Sequence, residues 1–141
     1  MVCERYPIRS LVHHWGVLET DDHKYEEAER LLKWALELPR DDIESYRGES
    51  DQTILTSLGN LYSHIGMGIL QQGNGGKAEE YFEKAESCFR DAKHGDFPNA
   101  HAYHAHANMW YQRGRRKSNE AEALDDYANS LEVLANARDN L

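Results

Sequence analysis

One pair of spacings recurs three times along the chain, and an internal repeat narrows the possible architectures more than any single residue does. In the first member, two large residues lie three apart, a small residue follows the second, and a longer side chain comes three further on. It reads Val12-x-x-Trp15-Gly16-x-x-Glu19, then Leu55-x-x-Leu58-Gly59-x-x-Tyr62, then Tyr103-x-x-His106-Ala107-x-x-Trp110. In the second member a small residue precedes a bulky one by four and another small one by seven. It reads Ala28-Leu32-Ala35, Ala78-Phe82-Ala85 and Ala123-Tyr127-Ser130. Spacings of three and four place each set on one face of a helix.

Turn-forming residues part the two members each time: Asp21-Asp22-His23, then Gly73-Asn74-Gly75-Gly76, then Gly114 through Asn119. The unit is therefore helix, turn, helix. The pattern predicts helices over 10–21, 24–38, 51–72, 77–94, 99–113 and 119–138. Pro39, Gly95 and Pro98 provide stops, and 39–50 and 95–98 read as loops. A chain of 141 residues with this punctuation and no alternating strand pattern predicts one all-α domain.

Composition removes several classes of function. No run reaches the roughly 18 uninterrupted apolar residues of a membrane helix, and no secretory signal opens the chain. Sixteen Lys and Arg against 25 Asp and Glu give a net charge of −9, which disfavours nucleic acid as a partner. Two cysteines are too few for a disulfide framework and point to a reducing compartment, the cytoplasm. No Ser/His/Asp or Cys/His arrangement has a catalytic spacing. Gly73-Asn74-Gly75-Gly76-Lys77 lacks the spacing and the preceding strand of a phosphate loop. Neither an enzyme nor a cofactor is expected.

The motif pair resembles the tetratricopeptide repeat, whose first helix carries W-x2-L-G-x2-Y and whose second carries A-x3-F-x2-A. Leu58-Gly59-Asn60-Leu61-Tyr62 matches best, and Asp96-Phe97-Pro98-Asn99-Ala100 is similar to the Pro-Asn junction between units. The resemblance covers about 10–133, in repeats near 9–39, 51–95 and 98–138. It implies a right-handed α-solenoid of three repeats and six helices, one domain over 1–141. It also implies a fragment of a larger protein, loosely similar to the helical-repeat regions of signalling NTPases.

The middle unit departs from the family. Gly16 precedes Ala28 by 12 residues, as the family requires, but Gly59 precedes Ala78 by 19. The run from Ala78 to Ala107 is longer by seven as well. Equal growth on both sides predicts one hairpin lengthened by about two turns, with Ile65, Met67, Ile69 and Leu70 facing Tyr81. Helices 8–10 Å apart accept large side chains on one side of a contact only. Gly16, Gly59, Ala28, Ala78 and Ala85 are the expected concavities, and Trp15, Leu58, Phe82 and Tyr127 the expected knobs.

The first helices of such repeats line a concave groove. Carried over by motif position, the groove holds Ser10, His13, Val17 and Thr20, then Thr53, Thr56, Asn60, Ser63 and His64, then His101, His104, Asn108, Tyr111 and Gln112. The resemblance implies a non-catalytic protein-interaction module that binds a peptide or helix of a partner here. His13, Asn60, His64, His101, His104, Asn108, Tyr111 and Gln112 are the expected contact residues, because amides and imidazoles hydrogen-bond a peptide backbone. A clamp for a terminal carboxylate, known in some co-chaperone repeats, is not implied: Asn60 fits one role, but Thr56, His101 and Ala105 fill its basic sites. His101 and His104 share a helix face and His64 could approach them. No Cys or carboxylate stands beside them as a further ligand, so metal is not expected.

Arg113, Arg115, Arg116 and Lys117 read as a solvated turn whose cations suit a helix C-terminus. Glu26, Glu27, Glu29, Glu79, Glu80, Glu83 and Glu86 read as a wet outer face, and Cys88 as a small packed hydrophobe. Leu124, Leu131, Val133 and Leu134 of the last helix have no seventh helix to cover them. That leaves self-association into a homodimer through terminal helices as the alternative function.

Overall fold

The computed structural model describes residues 8–39, 50–94 and 100–141. Among them the chain is entirely helical: α1 (Ile8–Asp21), α2 (Tyr25–Glu37), α3 (Asp51–Gln71), α4 (Gly75–Lys93), α5 (Ala100–Arg115) and α6 (Glu120–Asn140). No described helix is long and apolar enough to cross a membrane. The loop readings over 40–49 and 95–98, the Pro98-Asn99 junction and Cys3 lie outside the described residues.

The ends of the helices follow local chemistry. Ser50, Asn74 and Asn119 each accept a hydrogen bond from a first-turn amide with the side chain, so α3, α4 and α6 start where a cap is available. The turn after α3 passes through Gly73 at φ 87°, a backbone region glycine enters without steric cost. His23 takes the matching place after α1 at φ 61°, with its Nδ1 2.8 Å from the Tyr25 hydroxyl.

Consecutive helices pair into three hairpins, α1–α2, α3–α4 and α5–α6. α3 also packs on α2 and touches α1, while α5 packs on both α3 and α4. No other pair of described helices meets, so the hairpins lie in chain order with the second in the middle. The core runs between them: Ala28 and Leu32 of α2, Leu58, Leu61 and Tyr62 of α3, Phe82, Ala85 and Phe89 of α4, and Met109 of α5 form one buried cluster. A second, smaller cluster joins Val12, Leu31 and Ala35 to Ile54.

Within hairpins, glycines receive rings and branched side chains. A Cβ on Gly16 would sit 2.8 Å from the Leu32 side chain. The middle hairpin makes that contact twice, because a Cβ on Gly59 would lie 2.5 Å from Phe89 and one on Gly66 2.9 Å from Phe82. The extra length, seven residues in α3 and six in α4 relative to the first hairpin, thus adds a second layer of the same small-against-large packing. Helices α3 and α4 run 21 and 19 residues, against 14 and 13 in the first hairpin. Met67 of the added length is part of the main buried cluster, and Ile65, Ile69, Leu70 and Tyr81 pack against that cluster.

Two expectations about packing are corrected. Trp15 is no buried knob: it is 48% exposed, together with Ile8, Leu11 and Leu18 on the same face of α1. Among the described helices only α2 and α3 pack on α1, and neither covers that face. The basic segment after α5 is also not uniformly solvated. Arg113 is buried, with its guanidinium 4.6 Å from the Phe82 ring and 5.1 Å from the Trp110 ring. It pairs with Glu79, and Lys117 reaches the buried Asp126 at 3.0 Å.

Candidate functional site

The matching faces of α1, α3 and α5 enclose a cavity of about 310 Å³. Val17, Thr20 and Asp21 line it from α1, Thr56, Ser57, Asn60 and His64 from α3, and His101, His104, Ala105 and Asn108 from α5. Three segments far apart in sequence meet because each supplies the first helix of a hairpin, turned the same way. Not every polar group there is offered outward. Thr20 donates its hydroxyl proton to the Gly16 carbonyl at 2.9 Å, and Thr56 to that of Gln52 at 2.8 Å. Such bonds to the preceding turn are a habit of threonine in helices. The exposed groups at the rim are Asn60, His64, His101, His104 and Asn108, with Asp21 the one carboxylate among the lining residues.

Although its side chain reaches the rim, His64 has a pKa below the ordinary imidazole value, chiefly because the cavity walls partly shield its ring from water and disfavour the cation, with His23 and Arg116 adding repulsion and Asp21 opposing them. At neutral pH it is therefore an uncharged donor and acceptor. Among the described residues no three His, Cys, Asp or Glu side chains are grouped closely enough to hold a metal ion.

Five of the eight expected contact residues, Asn60, His64, His101, His104 and Asn108, line this cavity. The other three go elsewhere. His13 is buried at the α1–α3 seam with Nε2 2.7 Å from Ser57 Oγ, so it joins helices and does not face a ligand. Gln112 accepts from Arg116 Nη1 at 3.0 Å through its side-chain oxygen. Tyr111 turns to a second depression, of about 440 Å³, between α5 and α6. Ala107, Tyr127, Ser130, Leu131 and Leu134 line it too, and His104 and Asn108 border both cavities.

Beneath the groove lies a network absent from the sequence reading. His106 is buried and stacked on Phe89, ring centroids 5.4 Å apart. Lys93 Nζ lies 2.8 Å from its Nδ1, and Glu86 Oε1 lies 3.2 Å from its Nε2. An ammonium has protons only, so Nδ1 accepts and Nε2 donates to Glu86. The Trp110 indole, 3.2 Å from that same Nε2, then faces a nitrogen without a lone pair and packs against the ring. Burial leads in lowering the His106 pKa, and Lys93 adds to it, against the pull of Glu86. Glu86 is lowered in turn, first by its hydrogen bond from His106.

Glu86 and Glu79 therefore depart from the expected wet face: both reach across to α5, while Glu80 and Glu83 stay exposed. Cys88 is half-buried against the core, and burial pushes its thiol up to about 11. Comparison with family models, with curated proteins and with solved structures finds no match to this chain.

Proposed function

We propose that the three hairpins are tetratricopeptide-like repeats stacked as a right-handed solenoid, and that the chain is a cytoplasmic, non-catalytic module that holds an extended peptide of a partner protein. The observation that carries this reading is the convergence of Asn60, His64, His104 and Asn108 on one cavity from two helices, closed by α1 on its far side. These side chains offer both donors and acceptors without fixed positive charge. A peptide backbone, with its alternating carbonyls and amides, matches that inventory better than a phosphate or a carboxylate does.

The test is a selection of displayed random peptides against the protein. Enriched sequences are then titrated by calorimetry into the wild type and an Asn60→Ala, His104→Ala double variant. Both residues are exposed, so the variant keeps the fold. The expected result is at least about a tenfold loss of affinity, or ~1.4 kcal/mol. Peptides that bind both proteins equally, or a selection that enriches none, would overturn the reading.

A further inference from the structure

We infer that copies of this chain associate head to tail, the exposed stripe of α1 in one copy entering the α5–α6 cleft of the next. The inference rests on the repeat register proposed above and is independent of what the groove binds. Matching Gly16, Gly59 and Ala107 puts Leu11, Trp15 and Leu18 of α1 level with Ile54, Leu58 and Leu61 of α3. The cross-contacts agree with that alignment: Arg9 pairs with Asp51 and His13 meets Ser57, at separations of 42 and 44 residues. In α3 those three positions are buried, Ile54 against Leu31 and Ala35 of the hairpin before it. The same positions in α5, Ala102, His106 and Met109, are buried too. Only in α1 do they face solvent, with Ile8 extending the stripe. The surface by which a first helix docks on the preceding hairpin is thus present and, among the described residues, exposed.

The receiving surface is uncovered at the other end. His106 of α5 is received by Glu86 and Phe89 of α4. Matching Ala78 with Ala123 makes Leu131 and Leu134 of α6 the corresponding residues, and they are 67% and 46% exposed beside the 440 Å³ cleft. Trp15 of a second copy would take the place there that His106 takes on Phe89.

Charge makes the same pairing. Asp21 closes α1 and Asp22 follows it, Arg115 closes α5 and Arg116 follows it, and none of the four has an ion-pair partner among the described residues. Inside the chain Asp21 already acts on His64 of the next first helix. In a second copy seated in the same way it would come to Gln112 and Arg116, the matching place on α5. Each end is a cluster of exposed large apolar side chains, the kind of feature that marks an interaction surface. The two together suit a weak, concentration-dependent contact. Because the two surfaces differ, the contact leaves a free stripe and a free cleft on every assembly.

Sedimentation of the whole chain up to about 1 mM, with Trp15→Glu and Leu134→Glu variants, tests this. The wild type should rise with concentration past twice its 16.3 kDa, and each variant alone should stay monomeric. An equimolar mixture of the two should form a complex of two chains and stop, since one intact stripe meets one intact cleft. Both residues are exposed, and unchanged circular dichroism verifies that the variants are folded. A wild type that stays monomeric overturns the inference. Self-association that Trp15→Glu leaves intact also overturns it, since the contact would then be α6 on α6. So does a mixture that fails to pair, which would leave another protein as the occupant. Peptides selected for the groove should bind both variants as they bind the wild type, so the two readings fail separately.

Discussion

The middle and the last hairpin hold their helices together with opposite chemistry. In α3–α4, Gly59 and Gly66 admit Phe89 and Phe82, and the interface is mostly apolar, with the buried Gln52 side chain donating to the Ala92 carbonyl at 2.9 Å near one end. In α5–α6, Gly114 admits the Tyr127 ring, and the next place toward the core is taken by a carboxylate, Asp126, which is 3% exposed. Matching Ala78 with Ala123 puts Asp126 where the middle hairpin has Tyr81 and the first has Leu31. Its charge is answered by Lys117 and, at 3.7 Å, by Arg113, which in turn reaches back to Glu79 of α4. The middle hairpin gains its stability chiefly from apolar burial. The ionic one exchanges part of that gain for a bond pattern that works in one arrangement of α4, α5 and α6 only.

The contrast breaks most visibly at the ring that belongs to both sides. Phe82 fills the Gly66 concavity and carries Arg113 on its face, so Phe82→Ala should cost about 3–5 kcal/mol in urea unfolding. A loss under about 1 kcal/mol would show that the core collapses onto the gap. Next comes Asp126→Ala, which leaves Lys117 and Arg113 facing a low-dielectric region; about 3 kcal/mol is expected. The pair Asp126→Leu with Arg113→Met should recover most of it, because replacing buried charges together is near neutral. A double variant as unstable as the single would show that the cluster adds net stability. Gly59→Leu should cost roughly 1–3 kcal/mol, since even a Cβ there requires Phe89 to move.

The pH dependence sharpens the comparison where the two hairpins meet. His106 binds its proton less readily folded than unfolded, so the unfolded chain takes up the proton first as pH falls through its ordinary value near 6.5. Stability should therefore decrease on going from pH 7.5 to 5.5, by no more than about 1.4 kcal/mol per pH unit for one proton. Glu86, lowered by its bond with His106, adds a further loss only below its ordinary value of 4.5. In His106→Leu the decrease between pH 7.5 and 5.5 should shrink, leaving the part due to His64, also lowered. A profile identical to the wild type would remove His106 as its source. The smallest effect expected is at a cap: Asn119→Ala removes acceptors from the Ala121 and Glu122 amides, for about 1 kcal/mol or less.

Periodicity, small residues and turn punctuation were sufficient for six helices, their pairing into hairpins and the added length of the middle one. All of these depend on neighbours within a few residues, where spacing translates directly into a shared face. The resemblance, carried over by motif position, selected five residues that the structure brings to one cavity, because the first helices share one orientation. One further layer was there to be found: Gly66 precedes Ala78 by 12 residues, as Gly16 precedes Ala28, and that spacing points to the Gly66–Phe82 contact.

Trp15 on the surface, His13 in a seam, Asp126 inside and Arg113 over Phe82 have no such local sign. Trp15 and Leu58 occupy the same motif position and meet opposite fates, since other helices cover that face of α3 and no described helix covers it on α1. Asp126 and Arg113 are polar letters that read as exposed, and each is buried with charged partners from other parts of the chain, Lys117 at 3.0 Å for Asp126 and Glu79 of α4 for Arg113. A residue's own chemistry settles which face of its helix it occupies. What lies against that face depends on segments tens of residues away, and their approach exists only once the chain has folded.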